Sequence, residues 1–87
     1  MWKARTMDAI LREVKAEALR AQNRYGVFRS THEALGVLME EVAELMEAIR
    51  RNDLDAVASE ATQVSAVAAR LADCIQSDGP MRLRSMP

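Results

Sequence analysis

The segment from Ser30 to Arg51 carries two apolar stripes where a surface helix needs one, and acids interrupt the second. At roughly 100° per residue, Leu35, Leu38, Val42, Leu45 and Ile49 recur at alternating steps of three and four and form an ordinary core stripe. A second line at the same spacing runs Ala34, Val37, Glu41, Glu44 and Ala48, so that two acids occupy the middle of an otherwise small and apolar row. Glu33, Glu40 and Glu47 fall further round, towards water. In the following segment Ala56, Val57, Val64, Val67, Leu71, Cys74 and Ile75 define a buried arc, with Glu60 inside it and Gln63 at its edge. An ionised carboxylate in such a position neutralises, pairs or coordinates a metal, because burial without a partner is costly. Three acids converging from two helices can share a hard divalent cation through oxygen ligands. The other reading pairs Glu41 and Glu44 with Arg50, Arg51 or Arg70, or leaves them along a wet helix edge.

The same periodicity predicts three helices and no repeat. Helix one runs from about Thr6 to Tyr25, with Met7, Ile10, Leu11, Val14, Ala18, Ala21 and Tyr25 opposite Arg12, Lys15, Arg20 and Asn23, and Gly26 stops it. Ser30 with Glu33 reads as a capping box that opens helix two. Arg50, Arg51 and Asn52 close that helix, and Asn52 or Asp53 caps the third, which continues to about Gln76. Ser77, Asp78, Gly79 and Pro80 then end a single domain over 1–80, leaving a tail over 81–87 that frays or packs on a partner subunit.

A chain of 87 residues buries only a modest share of its apolar surface, yet 49% of this one is hydrophobic with just three aromatic residues. The surplus implies a homo-oligomer, in which a three-helix up-down chain completes a four-helix-type bundle. Twelve basic and 13 acidic residues are interspersed at a formal net charge of -1, which gives no footprint for nucleic acid or an anionic membrane. No apolar run approaches the roughly 18 residues of a membrane span, and there is no signal-peptide core, so the expected location is cytoplasmic. The lone Cys74 excludes an internal disulfide and sits in the apolar arc as a buried thiol.

The string from His32 to Ile49, HEALGVLMEEVAELMEAI, followed by Glu60 in SEATQVSAVAARLAD, resembles the MazG-type all-α nucleoside triphosphate pyrophosphohydrolases. That family's signature is EExxE, a spacer, then ExxD. Glu40, Glu41 and Glu44 match its first half and Glu60 the first position of its second half, while Gln63 stands where aspartate is usual. An amide oxygen can ligate Mg²⁺ but brings no charge. The cassette with Phe28, Ser30, His32, Glu33, Glu60, Gln63 and Arg70 is similar to a small phage and mobile-element branch in which glutamine is usual at that position.

The resemblance implies Mg²⁺-dependent or Mn²⁺-dependent cleavage of a nucleoside triphosphate, (d)NTP and water giving (d)NMP and pyrophosphate, by a homodimer or homotetramer. Glu41, Glu44 and Glu60 would hold the metal, and Glu40 or Glu44 would orient the attacking water. Gln63, Arg70 and His32 would contact substrate, Arg70 and His32 at phosphate or base. For Arg70 the alternative is a counter-ion to a buried Glu, and His32 is otherwise a first-turn residue; Asp73 either joins the metal shell or pairs with Arg70, the pairing being preferred. Phe28 reads as a hydrophobic staple at the helix entry, ahead of a stacking role for it or for Trp2. The competing function is a non-catalytic helical oligomer or degenerate MazG-like interaction module. A nucleic-acid-binding regulator ranks last, since Asp8, Glu13 and Glu17 interleave with Arg12, Lys15, Arg20 and Arg24.

Overall fold

The computed structural model describes residues 5–77, which form α1 (Met7–Tyr25), α2 (Thr31–Arg50) and α3 (Leu54–Gln76), with no strand among them. Trp2, the boundary drawn at residue 80 and the tail over 81–87 lie outside the described residues.

Each helix begins on a side chain that satisfies one of its orphan N–H groups. Thr6 accepts from the Ala9 N–H, Ser30 from the Glu33 N–H and Asp53 from the Ala56 N–H. The capping box at α2 differs in one detail: the Glu33 carboxylate takes the Arg29 N–H at 2.6 Å, one residue before the N-cap. Gly26 ends α1 at φ 79°, a conformation that favours glycine. At the end of α2, Asn52 takes the left-handed position at φ 58°, its N–H bonds the Ile49 carbonyl and the Asp53 N–H bonds the Ala48 carbonyl. Those two bonds make a Schellman motif with Asn in place of Gly, so Asn52 closes α2 and Asp53 alone caps α3.

The short Arg51–Asp53 connection folds α3 back antiparallel on α2. α1 runs parallel to α3, because Gln63 of α3 bonds Glu17 and Arg70, seven residues on, bonds Gly26. Both outer helices pack on α3 and not on each other, which leaves a crevice between them.

On α1 and α3 the core lies along the expected arcs, with their ends exposed, whereas on α2 the inner face differs from the large apolar stripe. On α2 the small row is innermost, with Ala34 0% and Ala48 1% exposed, whereas Leu35 and Ile49 of the large stripe are 50% and 55% exposed. Small side chains let two helix axes approach closely, and the leucines then flank the contact. On α3 Ala66, Val67, Arg70 and Cys74 are buried while Ile75 is largely exposed. On α1 only Val14 is buried, and Met7, Leu11 and Tyr25 face outward. Phe28 joins Ala34, Val67 and Cys74 in the central cluster, with Val37, Leu38 and Leu71 against it. It staples the loop to the first turns of α2 as expected, and Cys74 is a buried free thiol.

Candidate metal centre and adjoining cleft

Antiparallel packing brings the middle of α2 against the first half of α3, so Glu41 and Glu44 meet Glu60. One carboxylate oxygen from each lies within 4.8 Å of the other two. Glu41 and Glu60 are half-buried and Glu44 is exposed. None of the three pairs with a cation among the described residues; the ion pairs there are Arg5 with Glu13, Arg20 with Glu17 and Arg51 with Glu47. The reading that set Arg50, Arg51 or Arg70 against Glu41 and Glu44 is therefore not what forms.

The Glu41 carboxyl is held above its ordinary value of 4.5 by partial burial, then by the charges of Glu44, Glu60 and Glu40. Crowded anions with no cation beside them are the donor set a divalent ion fits. Adjacent oxygens on Mg²⁺, each at about 2.1 Å from it, stand about 3 Å apart, so closing these three on an ion needs only small side-chain rotations against their repulsion.

Beside this cluster lies a cleft of about 560 Å³ in the crevice between α1 and α2, floored by α3. Glu40, Glu41, Gln63 and Arg70 all line it, and Glu41 also belongs to the acidic cluster, so cluster and cleft are continuous. His32 is not brought there: it is exposed in the first turn of α2 and lines neither this cleft nor its neighbour.

Arg70 is only 6% exposed. Its guanidinium lies 4.2 Å over the Phe28 ring and donates to the Gly26 carbonyl at 3.3 Å, while its Nε has no partner. The expected pair with Asp73 is absent, as is any pairing with a buried Glu. Asp73 is exposed, and the Arg70 side chain instead turns towards the loop after α1. Phe28, buried beneath it, has no face open for stacking.

Gln63 donates from Nε2 to the Glu17 carboxylate at 2.9 Å. Glu17 is the site residue that the pattern analysis passed over, although the signal was present. It falls on the line Ile10, Val14, Glu17, Ala21, an acid in an apolar row like Glu41.

The chain matches the family model of the MazG nucleotide pyrophosphohydrolase domain over residues 29–86. That is more than half of its length, and the chain belongs to this family. No curated protein and no solved structure matches it. Neither of the two outer helices is equivalent in this respect: α2 and α3 lie in the matched span and α1 precedes it.

Proposed function

We propose that this member of the MazG nucleotide pyrophosphohydrolase family hydrolyses a nucleoside triphosphate to the monophosphate and pyrophosphate, with a divalent cation, Mg²⁺ or Mn²⁺, held by Glu41, Glu44 and Glu60. The observation that carries this reading is the convergence of three carboxylates without a cation, one of them lining a cleft into whose α3 floor is set a buried arginine without an anion. When bound, the ion supplies charge to offset the phosphates and lowers the pKa of a water. Glu40, exposed and lining the cleft beside Glu41, is placed to accept a proton from that water, and Glu44 is the alternative base. Arg70, further along the α3 floor, offers the donors that Gly26 does not take to phosphate or base, and Gln63 contacts the substrate between Arg70 and the acids.

A purely structural bundle would gain stability by exchanging the clustered acids for apolar residues, which argues against the assembly-module alternative. The active form we infer is a homodimer or homotetramer in the cytoplasm. Leu35, Met39, Met46 and Ile49 are exposed on α2, and with Val42 they follow the alternating four-three spacing of a helix-pairing seam. Met39→Glu with Met46→Glu should return sedimentation to the monomer mass; a monomeric parent would remove the oligomer from the proposal.

The hydrolase reading is tested by pyrophosphate release from canonical ribo- and deoxyribonucleoside triphosphates with Mg²⁺ or Mn²⁺, beside the Glu41→Gln, Glu44→Gln double variant. Release by the parent that the variant abolishes supports the reading. A parent that releases no pyrophosphate and is not stabilised by metal sinks it in favour of the assembly module.

A further inference from the structure

Two clefts flank the contact between α1 and α3, and two residues are shared by their linings: Glu17 and Gln63. The second cleft, about 820 Å³, lies between the first half of α1 and the stretch of α3 from Ala58 to Ser65. The Glu17–Gln63 hydrogen bond is thus the partition between the two spaces, closed by residues 46 apart in the chain. Glu17 is itself held: its second oxygen takes the Arg20 guanidinium one turn on, and its side chain is 25% exposed.

This arrangement decides the orientation of an amide. An ionised carboxylate accepts hydrogen bonds and donates none, so the Gln63 atom facing Glu17 is the nitrogen. The carbonyl oxygen Oε1 is then turned away from α1. It accepts no hydrogen bond among the described residues and is not fully buried, and Gln63 lines both clefts. An acceptor-only oxygen repels phosphate oxygens and attracts N–H or O–H groups. Gln63 lies one helical turn from Glu60 and two turns from Arg70, so along α3 an acceptor sits between the carboxylate cluster and the single Arg70 guanidinium.

We propose that Glu17 is a positioning residue for the site. By fixing the Gln63 amide it presents Oε1 as an acceptor that selects a nucleotide whose base carries an exocyclic amino group, over the same base with a carbonyl oxygen in its place. The inference rests on the nucleotide reading above, and it assigns to α1, which lies outside the family match, a part in choosing the substrate. The amino base donates to Oε1, whereas the oxo analogue sets oxygen against oxygen. A site built to accept from a ligand donor discriminates against the analogue that lacks it, because the acceptor is left unpaired.

The test is equilibrium binding of monophosphates, which are products and are not turned over: dCMP against dUMP, and dAMP against dIMP. The parent should bind the amino member of each pair at least about tenfold more tightly. Glu17→Gln keeps the shape but can donate as well as accept, so it no longer fixes the neighbouring amide, and the preference should fall to within about threefold. Gln63→Met removes the acceptor itself and should have the same effect. Glu13→Gln, one turn earlier on α1 and paired with Arg5, should keep the parent's preference. A parent that binds both members of each pair alike, binds none of the four, or keeps its preference in Glu17→Gln or Gln63→Met overturns the proposal. Discrimination among monophosphates without pyrophosphate release would instead remove the hydrolase reading and leave this one standing.

Discussion

Two stretches of α3 hold opposite charges that never meet. Around Glu60, three carboxylates gather with no cation among the described residues; around Arg70, a guanidinium is buried with no anion. The two positions are ten residues apart, about 15 Å along a helix and well beyond ion-pair range. A fold selected for stability alone would bring such charges to i, i+4 spacing or replace both, since an uncompensated buried charge is destabilising. Keeping them apart leaves both for something that is neither helix, a cation at one end and an anionic or acceptor-bearing group at the other. The environments differ as well. The acids keep some contact with solvent, and Glu41 is pushed towards protonation by its partial burial and then by the charges beside it, whereas the arginine is shielded by Phe28 and held by a single carbonyl.

The sharpest way to break this comparison is to remove a charge from the acidic end. Glu60→Gln should lower pyrophosphate release by about two to three orders of magnitude while leaving helicity intact by circular dichroism. It should also abolish metal-dependent stabilisation, which in the parent amounts to about 2.7 kcal/mol at a metal concentration of roughly 100 times Kd. Unchanged turnover in Glu60→Gln would place the metal elsewhere. Arg70→Met tests the other end with an effect of opposite character: KM should rise by about tenfold, with a melting temperature equal to the parent's or higher, because a desolvated charge with an unpartnered Nε has been replaced by an apolar chain. A large fall in melting temperature with unchanged KM would make Arg70 a structural strut.

The smallest effect is a pH dependence, and its sign separates the two ends. The folded state holds the Glu41 proton more tightly than the unfolded chain does, so this group's contribution to metal-free stability is fully present below pH 4.5 and is lost as pH rises through the raised folded value. Added Mg²⁺ or Mn²⁺ should reverse the slope, because the ion binds the deprotonated form. A metal-free melting temperature that rises with pH over that window would contradict the crowding of charge at Glu41.

Helix limits were legible because capping is local. Ser30 with Glu33, Asp53 and Gly26 each act within a few residues of themselves, and the observed limits differ from the expected ones by a single residue. The acidic centre was legible for a related reason: Glu41 and Glu44 stand out against Ala34 and Ala48 in one row, and Glu60 against its apolar arc. The choice of inner face on α2 was not, because hydrophobicity ranks Leu35 and Ile49 above Ala34 and Ala48. It carries no information on how close α3 must come, and closeness favours alanine. The surroundings of Arg70 were equally out of reach, since its partners Phe28 and Gly26 are more than 40 residues away in the chain and belong to a loop. Glu17 lay between these cases: the row revealed an acid out of place but gave no hint that its partner would be an amide on α3.

The absence of contact between α1 and α2 also sets an order in which the molecule comes together. The α2–α3 hairpin joins neighbouring segments across a three-residue turn, at little loop-closure entropy. α1 docks on α3 through partners more distant in the chain, such as Glu17 with Gln63 and Gly26 with Arg70, and so closes a longer loop. The cleft, walled by both outer helices, is therefore complete only when α1 and the hairpin are both in place on α3. Amide protons of α1 should exchange with solvent at a lower free-energy cost than those of the hairpin, so the enclosure around a ligand can loosen while the carboxylates on α2 and α3 keep their places.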